Sequence, residues 1–240
     1  MPCFYVPHLT NGVKNATIEG EEFHHLINVF RKRKGDEIQL TDGNGTLSEA
    51  IIEQIDKKSL KIRVLSQTNF TRQDRHVAVA FSLLKNKNDN LIVEKLTELG
   101  VDEFFPFIAQ RTVRQKGDNT EERFVKTAVS AIKQCDNPFL PTVNNVSELE
   151  TLLDELKSQD YSIYIALERQ TTTYLNELIK PPLPKKIALI VGPEGGFTDE
   201  EIVLFNNSDV MCFTICKNIL RAETAAIAAA AQLILAINSI

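Results

Sequence analysis

The stretch that decides the fold is Ile-Ala-Leu-Ile-Val-Gly-Pro-Glu-Gly-Gly-Phe-Thr-Asp-Glu-Glu, residues 187–201. Its first five residues are all apolar, which is typical of a strand buried on both faces of a sheet. A glycine-rich turn then ends the strand, and Thr198 followed by Glu201 forms a capping box, so a helix is predicted to begin there. This order of strand, turn and helix predicts a ligand site at the carboxyl edge of a parallel sheet.

The ligand of this turn is predicted to be a cofactor that is held mainly by backbone groups and not a polyphosphate. Asp199, Glu200 and Glu201 bring negative charge to the first turn of the helix, and this charge opposes a bound anion. No Lys-Ser or Lys-Thr pair follows the glycines, and their spacing is not Gly-x-Gly-x-x-Gly, which argues against both standard phosphate-binding motifs. On this stretch alone, the alternative that the glycines only form a tight turn stays open.

The composition is that of a globular protein with a sizeable core, with 240 residues, 43% hydrophobic and 25% charged. No apolar run reaches the roughly 18 residues of a membrane span, and the N-terminus lacks the features of a signal peptide. The four cysteines form no Cys-x-x-Cys pair. We therefore expect a cytoplasmic protein with no metal, no disulfide framework and no membrane contact.

The charge is spread unevenly along the chain. Its net value of −5 argues against indiscriminate binding to nucleic acid. Residues 1–72 hold 10 Lys and Arg against 9 Asp and Glu, whereas residues 73–240 hold 17 against 23. A polyanion is therefore expected to contact the N-terminal part first.

Residues 1–70 are predicted to form a small β-barrel domain. Apolar and polar residues alternate in several short runs, and Asp-Gly-Asn-Gly at residues 42–45 is a hairpin signal. A short amphipathic helix is predicted at residues 21–30. The basic residues 31–34 that follow are either an RNA contact or a solvated helix end, and composition alone favours the second. His24 and His25 are expected to be one packed and one exposed residue, not metal ligands.

A polar segment at residues 70–75 is interpreted as the linker to a second domain, residues 75–240. In that domain predicted strands alternate with predicted helices, one of which is expected to begin at a capping box of Ser147 and Glu150. This alternation predicts an α/β fold with a parallel sheet and helices on both faces.

A second turn follows one helix and one strand after the first, so both are expected to open on the same edge of the sheet. Arg221, Glu223 and Thr224 stand there at the mouth of an alanine-rich helix, residues 223–237. That helix is predicted to be buried, either on the sheet or against a partner subunit. An apolar helix does not need these charges for packing, and burying an unpaired charge is costly. The charged residues are therefore candidates for function.

Two motifs carry a family resemblance. Leu-Ile-Val-Gly-Pro-Glu-Gly-Gly-Phe (189–197) together with Ile-Leu-Arg-Ala-Glu-Thr-Ala (219–225) resembles the SPOUT methyltransferases, in particular the family that methylates N3 of a uridine in 16S ribosomal RNA. Phe-His-His-Leu (23–26), followed by Arg31, by Gly-Asp-Glu-Ile (35–38) and by Asp42-Gly43, resembles that family's N-terminal RNA-binding barrel, which is similar to PUA domains. Leu84-Lys85 and residues 94–101 resemble the start of its catalytic domain.

The resemblance implies a C-terminal SPOUT domain with a trefoil knot, a PUA-like N-terminal barrel, and a homodimer with its active site at the subunit interface. It implies S-adenosylmethionine as cofactor and 16S ribosomal RNA in the 30S subunit as partner. The residues expected to bind the cofactor are Leu167, Ile190, Gly192, Pro193, Gly196, Ile215, Cys216, Ile219 and Leu220. Those expected to bind RNA are Arg31, Arg33, Lys34, Lys85 and Arg111.

The chemistry of this reaction suggests roles for three charged residues. N3 of uracil is protonated at neutral pH and is a poor nucleophile, so its methylation needs deprotonation or stabilisation of the uracil anion. Arg221 is expected to stabilise the negative charge on a carbonyl oxygen, and Glu194 or Glu223 to accept the proton. Two alternatives stay open: Glu223 forms an ion pair that orders Arg221, or Arg221 is a structural contact at a helix end.

The chain departs from the family pattern at two places. Cys216 stands where glycine is usual, and it would be strained if this position needs a positive φ. Residues 135–139 carry no arginine where the family often has one. The competing function is a non-catalytic RNA-binding protein of ribosome assembly that binds no cofactor. A third hypothesis is an enzyme that binds a nucleotide phosphate at the glycine-rich turn. The acidic first turn of the helix and the missing lysine argue against it.

Overall fold

The computed structural model describes residues 3–167 and 172–238. The chain divides into two compact units. The first comprises Met1–Arg72 with Val129–Leu140, and the second comprises Gln73–Ala128 with Pro141–Ile240.

The first unit is built on a five-stranded sheet in the order β1-β3-β4-β5-β2. Its strands are β1 (Cys3–Tyr5), β2 (Asn15–Glu19), β3 (Glu37–Thr41), β4 (Thr46–Ile55) and β5 (Ser59–Asn69). All neighbours are antiparallel except β1 and β3, which are parallel. Two register shifts between β4 and β5 bend the sheet around a core that includes Phe4, Leu26 and Ile62. The prediction of a small β-rich N-terminal part is confirmed.

The turn between β3 and β4 is the hairpin that the sequence predicts. The Asp42 carboxylate closes it, because its Oδ1 atom accepts hydrogen bonds from the main-chain N–H groups of Asn44 (2.8 Å) and Thr46 (2.9 Å).

The helix predicted at residues 21–30 is split into two short pieces. The α-helix α1 (Gly20–His24) passes directly into one turn of π-helix, His25–Val29. This winding buries Phe23 and Leu26 and leaves both His24 and His25 exposed, so the expectation that one histidine would be packed is wrong. Among the described residues there is no group of three or more side chains able to hold a metal ion.

The second unit contains a seven-stranded sheet in which every described pairing is parallel, as predicted. Its strands are β6 (His76–Ser82), β7 (Glu103–Ile108), β8 (Thr142–Val143), β9 (Ser147–Glu148), β10 (Ser162–Ala166), β11 (Lys186–Val191) and β12 (Val210–Phe213). The order is β12-β10-β11-β6-β7-β8, and β9 pairs with β7. Its helices are α2 (Asn88–Glu98), α4 (Leu149–Ser158), α5 (Leu175–Leu178), α6 (Asp199–Asn206) and α7 (Ala222–Asn238). Helix α3 (Thr120–Cys135) begins in the second unit, and its residues from Val129 on belong to the first.

Both faces of this sheet are covered, which also agrees with the sequence. Ala188 and Ile190 of β11 belong to the core that contains the leucines of α4 and Phe205 of α6. On the opposite face the ring of Phe124 in α3 packs edge-to-face on Phe81 of β6, with ring centroids 5.4 Å apart. Residues Ile187 to Val191 are all buried, as the unbroken apolar run requires.

One of the two predicted capping boxes forms and the other does not. Thr198 caps α6, with its Oγ1 atom accepting from the Glu201 N–H at 3.3 Å and the Glu201 carboxylate accepting from the Thr198 N–H at 2.7 Å. By contrast, α4 begins after Glu148 with no side-chain cap, because Ser147 is paired with Phe107 in the sheet. The predicted capping box at Ser147 and Glu150 is therefore wrong, because Ser147 is part of a strand and does not cap the helix.

The alanine-rich helix α7 lies against the sheet. It packs on β11 and β6 and on the neighbouring helices α2 and α5. Its inner face, which includes Ala226, Ala229 and Leu233, is fully buried, whereas Leu235 is 68% exposed. Of the two positions predicted for this helix, on the sheet or against a partner subunit, the structure shows the first. In the described part of the chain, no helix joins enough length to enough apolar character to cross a lipid bilayer.

Four polar residues tie together the amino ends of the strands, at the sheet edge opposite the glycine-rich turn. The Glu103 carboxylate at the start of β7 accepts hydrogen bonds from His76 Nε2 (2.9 Å), Tyr161 Oη (2.7 Å) and Asn144 Nδ2 (2.8 Å). Burial alone raises the pKa of this carboxyl, but the hydrogen bonds from His76, Asn144 and Tyr161 outweigh burial and lower the pKa to about 2. Glu103 therefore stabilises the fold in its ionised form.

This network predicts an acid-sensitive contribution to stability. The folded-state pKa of Glu103 lies below the ordinary value, so the stabilisation is complete above the ordinary pKa and is lost as the pH falls toward the folded value. We expect Glu103 to account for a loss of about 2 kcal/mol in the free energy of unfolding between about pH 5 and about pH 3. Urea unfolding at both pH values checks this. The stability difference between the wild type and Glu103→Gln should shrink by that amount, and an unchanged difference contradicts the assignment.

Candidate functional site

Three neighbouring strands of the parallel sheet define the place of the site. The strands β10, β11 and β12 lie side by side and point the same way, so the turns that follow them meet at one edge. The turn after β11 carries the glycines, and the turn after β12 leads into α7. The two motifs that the sequence singled out are thereby brought together.

These turns enclose a cavity of about 680 Å³, which is within the usual size range of small-molecule sites. Its walls combine apolar side chains with exposed backbone from both turns. The lining residues are Asn88, Arg111, Ala166, Leu167, Val191, Gly192, Pro193, Glu194, Gly195, Gly196, Phe197, Phe213, Thr214, Ile215, Cys216, Asn218, Ile219, Leu220, Arg221, Ala222, Glu223 and Ala225.

The glycine-rich turn needs glycine at two positions for different reasons. Gly196 has a φ of +67°, in the left-handed region that side chains disfavour, and its N–H closes the turn on the Pro193 carbonyl at 2.9 Å. A Cβ atom on Gly192 would lie 2.8 Å from the ring of Phe197. That ring cannot give way easily, because it stacks on Phe107 and packs edge-to-face on Phe205 at a centroid distance of 4.8 Å.

Gly192→Ala is therefore expected to damage the site. The added methyl group should push Phe197 out of its packing, lower the free energy of unfolding by about 1–3 kcal/mol and weaken ligand binding in the cavity. Urea unfolding and calorimetric titration with S-adenosylmethionine measure the two effects. Gly117→Ala is the matched control, because a Cβ there meets only Thr120 Oγ1 at 3.8 Å and its φ is not in the left-handed region. Equal stability of the two variants would contradict the prediction.

The loop after β7 braces this turn. Arg111 Nη1 donates to the carbonyl oxygens of Gly195 (3.2 Å) and Phe197 (3.0 Å), and the Gln110 N–H donates to Glu201 Oε1 at 2.9 Å. Arg111 nevertheless remains exposed. The arginine that was expected to contact RNA thus has an intramolecular contact that holds the turn in shape.

At the acidic start of α6, the surroundings of Glu200 favour its charged form. The pKa of Glu200 is lowered, first by a hydrogen bond from its own backbone N–H, then by the Thr198 hydroxyl and the positive charge of Arg111. Negative side chains at a helix N-terminus are stabilised by the helix dipole. The electrostatics of this turn therefore favour a ligand without a phosphate group, in line with the sequence.

Both candidate proton acceptors are engaged by the segment after β6. Glu194 Oε1 accepts a hydrogen bond from the main-chain N–H of Lys85 at 2.9 Å, and Glu223 Oε1 accepts one from Asn88 Nδ2 at 3.4 Å. Glu223 is 8% exposed, whereas Glu194 is exposed. Of the two carboxylates, only Glu223 is buried in the wall of the cavity.

Arg221 lines the cavity and is exposed to solvent. Among residues 3–167 and 172–238, the structure has no ion pair between Arg221 and Glu223. The alternative that Glu223 orders Arg221 through an ion pair thus finds no support in the described residues. The Arg221 carbonyl accepts the Ala225 N–H at 2.8 Å, which fixes its backbone at the start of α7.

Cys216 fits the second turn without backbone strain. The described non-glycine residues with positive φ are Arg31, Asn86, Lys87, Asp136 and Asp160, and Cys216 is not among them. Its thiol donates to the Asn218 carbonyl at 3.3 Å, and Thr214 Oγ1 donates to the Cys216 carbonyl at 3.2 Å. The strain considered for a cysteine at this position does not arise.

The predicted cofactor residues line the cavity with one exception. Leu167, Gly192, Pro193, Gly196, Ile215, Cys216, Ile219 and Leu220 all belong to its wall, as do Arg221, Glu194 and Glu223. Ile190 does not, because its side chain points into the core shared with α4 and α6. Alternate residues of a strand face opposite ways, and the next residue, Val191, is the one that reaches the cavity.

The predicted RNA-binding residues fall into two groups. Arg31, Arg33 and Lys34 are exposed and belong to the first unit, whereas Lys85 and Arg111 belong to the second. Lys85 and Arg111 both contact the glycine-rich turn, as described above.

Sequence reasoning missed several residues of the wall, chiefly Asn88, Phe197, Thr214 and Asn218. Thr214 and Asn218 lie in the turn just before the second motif and could have been included on position alone. Asn88 reaches the cavity from the segment after β6, about 100 positions before the first turn, and no local pattern marks it.

The fold and the cavity place the protein among the α/β enzymes that bind a ligand at the carboxyl edge of a parallel sheet. Comparison with known proteins identifies the family within this class. A family model described as an RNA methyltransferase domain matches residues 71–234, and one described as an RNA methyltransferase PUA domain matches residues 18–65. A Bacillus subtilis protein named ribosomal RNA small subunit methyltransferase E is 31% identical over 218 residues, covering 87% of this chain and 85% of that protein.

Two solved structures agree over nearly the whole chain. A ribosomal RNA small subunit methyltransferase E from Neisseria gonorrhoeae, bound to S-adenosyl methionine, has a TM-score of 0.87 at 25% identity and covers 97% of this chain and 96% of its own. A putative methyltransferase from Legionella pneumophila in complex with the cofactor SAM has a TM-score of 0.87 at 26% identity, with 98% and 97% covered. The chain belongs to the ribosomal RNA small subunit methyltransferase E family of RNA methyltransferases, so the resemblance to a family of 16S ribosomal RNA methyltransferases is confirmed.

Proposed function

We propose that this protein transfers the methyl group of S-adenosylmethionine to N3 of a uridine in 16S ribosomal RNA of the small ribosomal subunit, in the cytoplasm. The observation that carries the proposal is the single cavity formed by the two family motifs at the edge of β10, β11 and β12. The trefoil knot and the homodimer stay predictions from the family resemblance.

The residues of the cavity fit this cofactor. S-adenosylmethionine has an apolar adenine face, polar adenine edges and no phosphate. The side chains of Leu167, Ile215 and Leu220 provide an apolar wall, and the backbone of both turns provides hydrogen-bonding groups. At Gly196, which lines the cavity, a Cβ would meet no atom within 4 Å, so the missing side chain leaves room for a ligand beside the backbone.

Within this proposal, the cofactor supplies an electrophilic methyl group on a sulfonium centre. The protein must bring the uracil to that group and stabilise the base in its anionic form. Arg221 is exposed on the cavity wall and carries a permanent positive charge, which suits it to stabilise negative charge on a uracil carbonyl oxygen. We assign the proton from N3 to Glu223, because it is the buried carboxylate of the cavity wall.

RNA contacts are proposed on both units of the chain. Arg31, Arg33 and Lys34 are exposed in the unit that carries the PUA-type domain, and their charge suits them to bind the RNA backbone. Lys85 and Arg111 flank the glycine-rich turn, where the target nucleotide would have to arrive after leaving its stack.

The experiment is methyl transfer from labelled S-adenosylmethionine to 30S subunits and to protein-free 16S ribosomal RNA, with the modified nucleotide mapped by mass spectrometry. We expect a single N3-methyluridine, with assembled subunits preferred over free RNA. A non-catalytic assembly protein would label neither substrate and would give no heat when titrated with the cofactor. Labelling of a different atom or a different base would contradict the assigned reaction.

A further inference from the structure

The short segment that leads from β6 into α2, residues Lys85–Asn88, has an unusual backbone, and its last residue is the first of α2. Asn86 (φ 55°, ψ 22°) and Lys87 (φ 61°, ψ 27°) are both in the left-handed conformation, although neither is glycine. Such residues are uncommon, and two in succession persist only when the surroundings impose them. We call this segment, Lys85–Asn88, the left-handed turn.

Both carboxylates of the cavity wall hold this turn. Glu194 accepts the main-chain N–H of Lys85 at 2.9 Å, and Glu223 accepts the side chain of Asn88 at 3.4 Å. The next residue, Asp89, is fully buried and paired with Arg114. The turn is therefore fixed at both ends, and its first anchor comes from the glycine-rich turn itself.

This arrangement presents two cations beside the cavity. Lys85 and Lys87 are exposed, and within residues 3–167 and 172–238 neither takes part in an ion pair. They stand in a part of the chain that is acidic as a whole, since residues 73–240 hold 17 Lys and Arg against 23 Asp and Glu. Unpaired ammonium groups on a strained backbone indicate a binding function for the turn, and the matching ligand is a phosphate of the RNA backbone.

We propose that Glu194 is a positioning residue, whose carboxylate holds the left-handed turn so that Lys85 and Lys87 bind the RNA backbone next to the target nucleotide. Glu194 thereby acts through the hydrogen bond that it accepts and not by taking a proton. The inference rests on the proposed function for the identity of the RNA, but the hydrogen bond and the phosphate contact can be measured without methyl transfer.

A pair of substitutions separates the two roles of Glu194. Gln keeps an oxygen that can accept the Lys85 N–H but cannot act as a base, whereas Ala removes both properties. We expect Glu194→Gln to keep near-wild-type kinetics, and Glu194→Ala to raise the KM for 30S subunits about tenfold with kcat little changed.

The lysines are tested by the salt dependence of binding to 30S subunits without cofactor. Lys87→Ala should reduce the slope of the logarithm of affinity against the logarithm of salt concentration by about 1. The control is Lys157→Ala, an exposed lysine at the end of α4, which lies just before β10 and hence on the opposite edge of the sheet. It should leave the slope unchanged.

Amide hydrogen exchange of the isolated protein gives an independent readout. Exchange at residues 85–88 should increase in Glu194→Ala and stay at the wild-type rate in Glu194→Gln. The proposal is overturned if Gln and Ala lower kcat equally, if exchange does not respond to Ala, or if Lys87→Ala keeps the wild-type salt slope. A wild-type protein that methylates no RNA would instead refute the proposed function, while exchange and salt dependence would still decide the role of Glu194.

Discussion

Arg221→Ala is expected to lower the rate of methyl transfer to 30S subunits by about 10²–10³-fold, the usual cost of removing one group that stabilises a developing oxyanion. The reason is the position of Arg221, exposed on the cavity wall at the start of α7, where its charge can reach the incoming base. Affinity for S-adenosylmethionine should stay nearly unchanged, because the cavity walls that suit the cofactor are apolar side chains and backbone. Single-turnover rates and calorimetry measure the two quantities.

Two further variants sharpen this prediction. Arg221→Lys keeps the positive charge but loses the planar fork of donors, so it should recover only part of the rate. Lys217→Ala is the control, because Lys217 is an exposed cation of the same turn that does not line the cavity. A fully active Arg221→Ala protein, or an equal loss in Lys217→Ala, would show that Arg221 has no special role.

Local sequence patterns were sufficient to predict the elements of the site. An unbroken apolar run, a glycine-rich turn and a capping box are all properties of adjacent residues, and the structure confirms a buried β11, the turn and the capped α6. The parallel sheet followed from the alternation of strands and helices. Because parallel strands end at one edge, the meeting of the two turns could also be predicted.

Contacts between distant segments could not be predicted from the sequence. The anchoring of Glu194 by Lys85 and the bracing of the glycine-rich turn by Arg111 join residues 109 and 84 positions apart. The failed capping box has the same cause, because Ser147 has the right local signal but its strand partner Phe107 lies far away in the chain. Nor does any local pattern separate Ile190, whose side chain faces the core, from Val191, which reaches the cavity. Whether a strand side chain faces the core or the cavity depends on which helices cover each side of the sheet.

The largest effect on stability is expected at Asp89, which follows the left-handed turn. Its side chain is fully buried and pairs with Arg114, and its Oδ2 atom lies 3.7 Å from Arg123 Nη2. Burial and the nearby charge of Arg123 lower the pKa of Arg114, but not enough to discharge an arginine, so both cations depend on the Asp89 carboxylate.

Asp89→Ala is therefore expected to lower the free energy of unfolding by about 3–5 kcal/mol, because two partly buried guanidinium groups lose their fully buried counter-charge. Asp89→Asn should cost nearly as much, since it keeps the shape but not the charge. The matched control is Glu98→Ala, which removes a pairing with Lys95 at the surface, where both side chains are partly exposed, and should cost less than about 1 kcal/mol. Urea unfolding followed by circular dichroism compares the three variants. If Asp89→Ala were no more costly than Glu98→Ala, the cluster would not stabilise the fold, and the segment that carries Asn88 to the cavity would need another anchor.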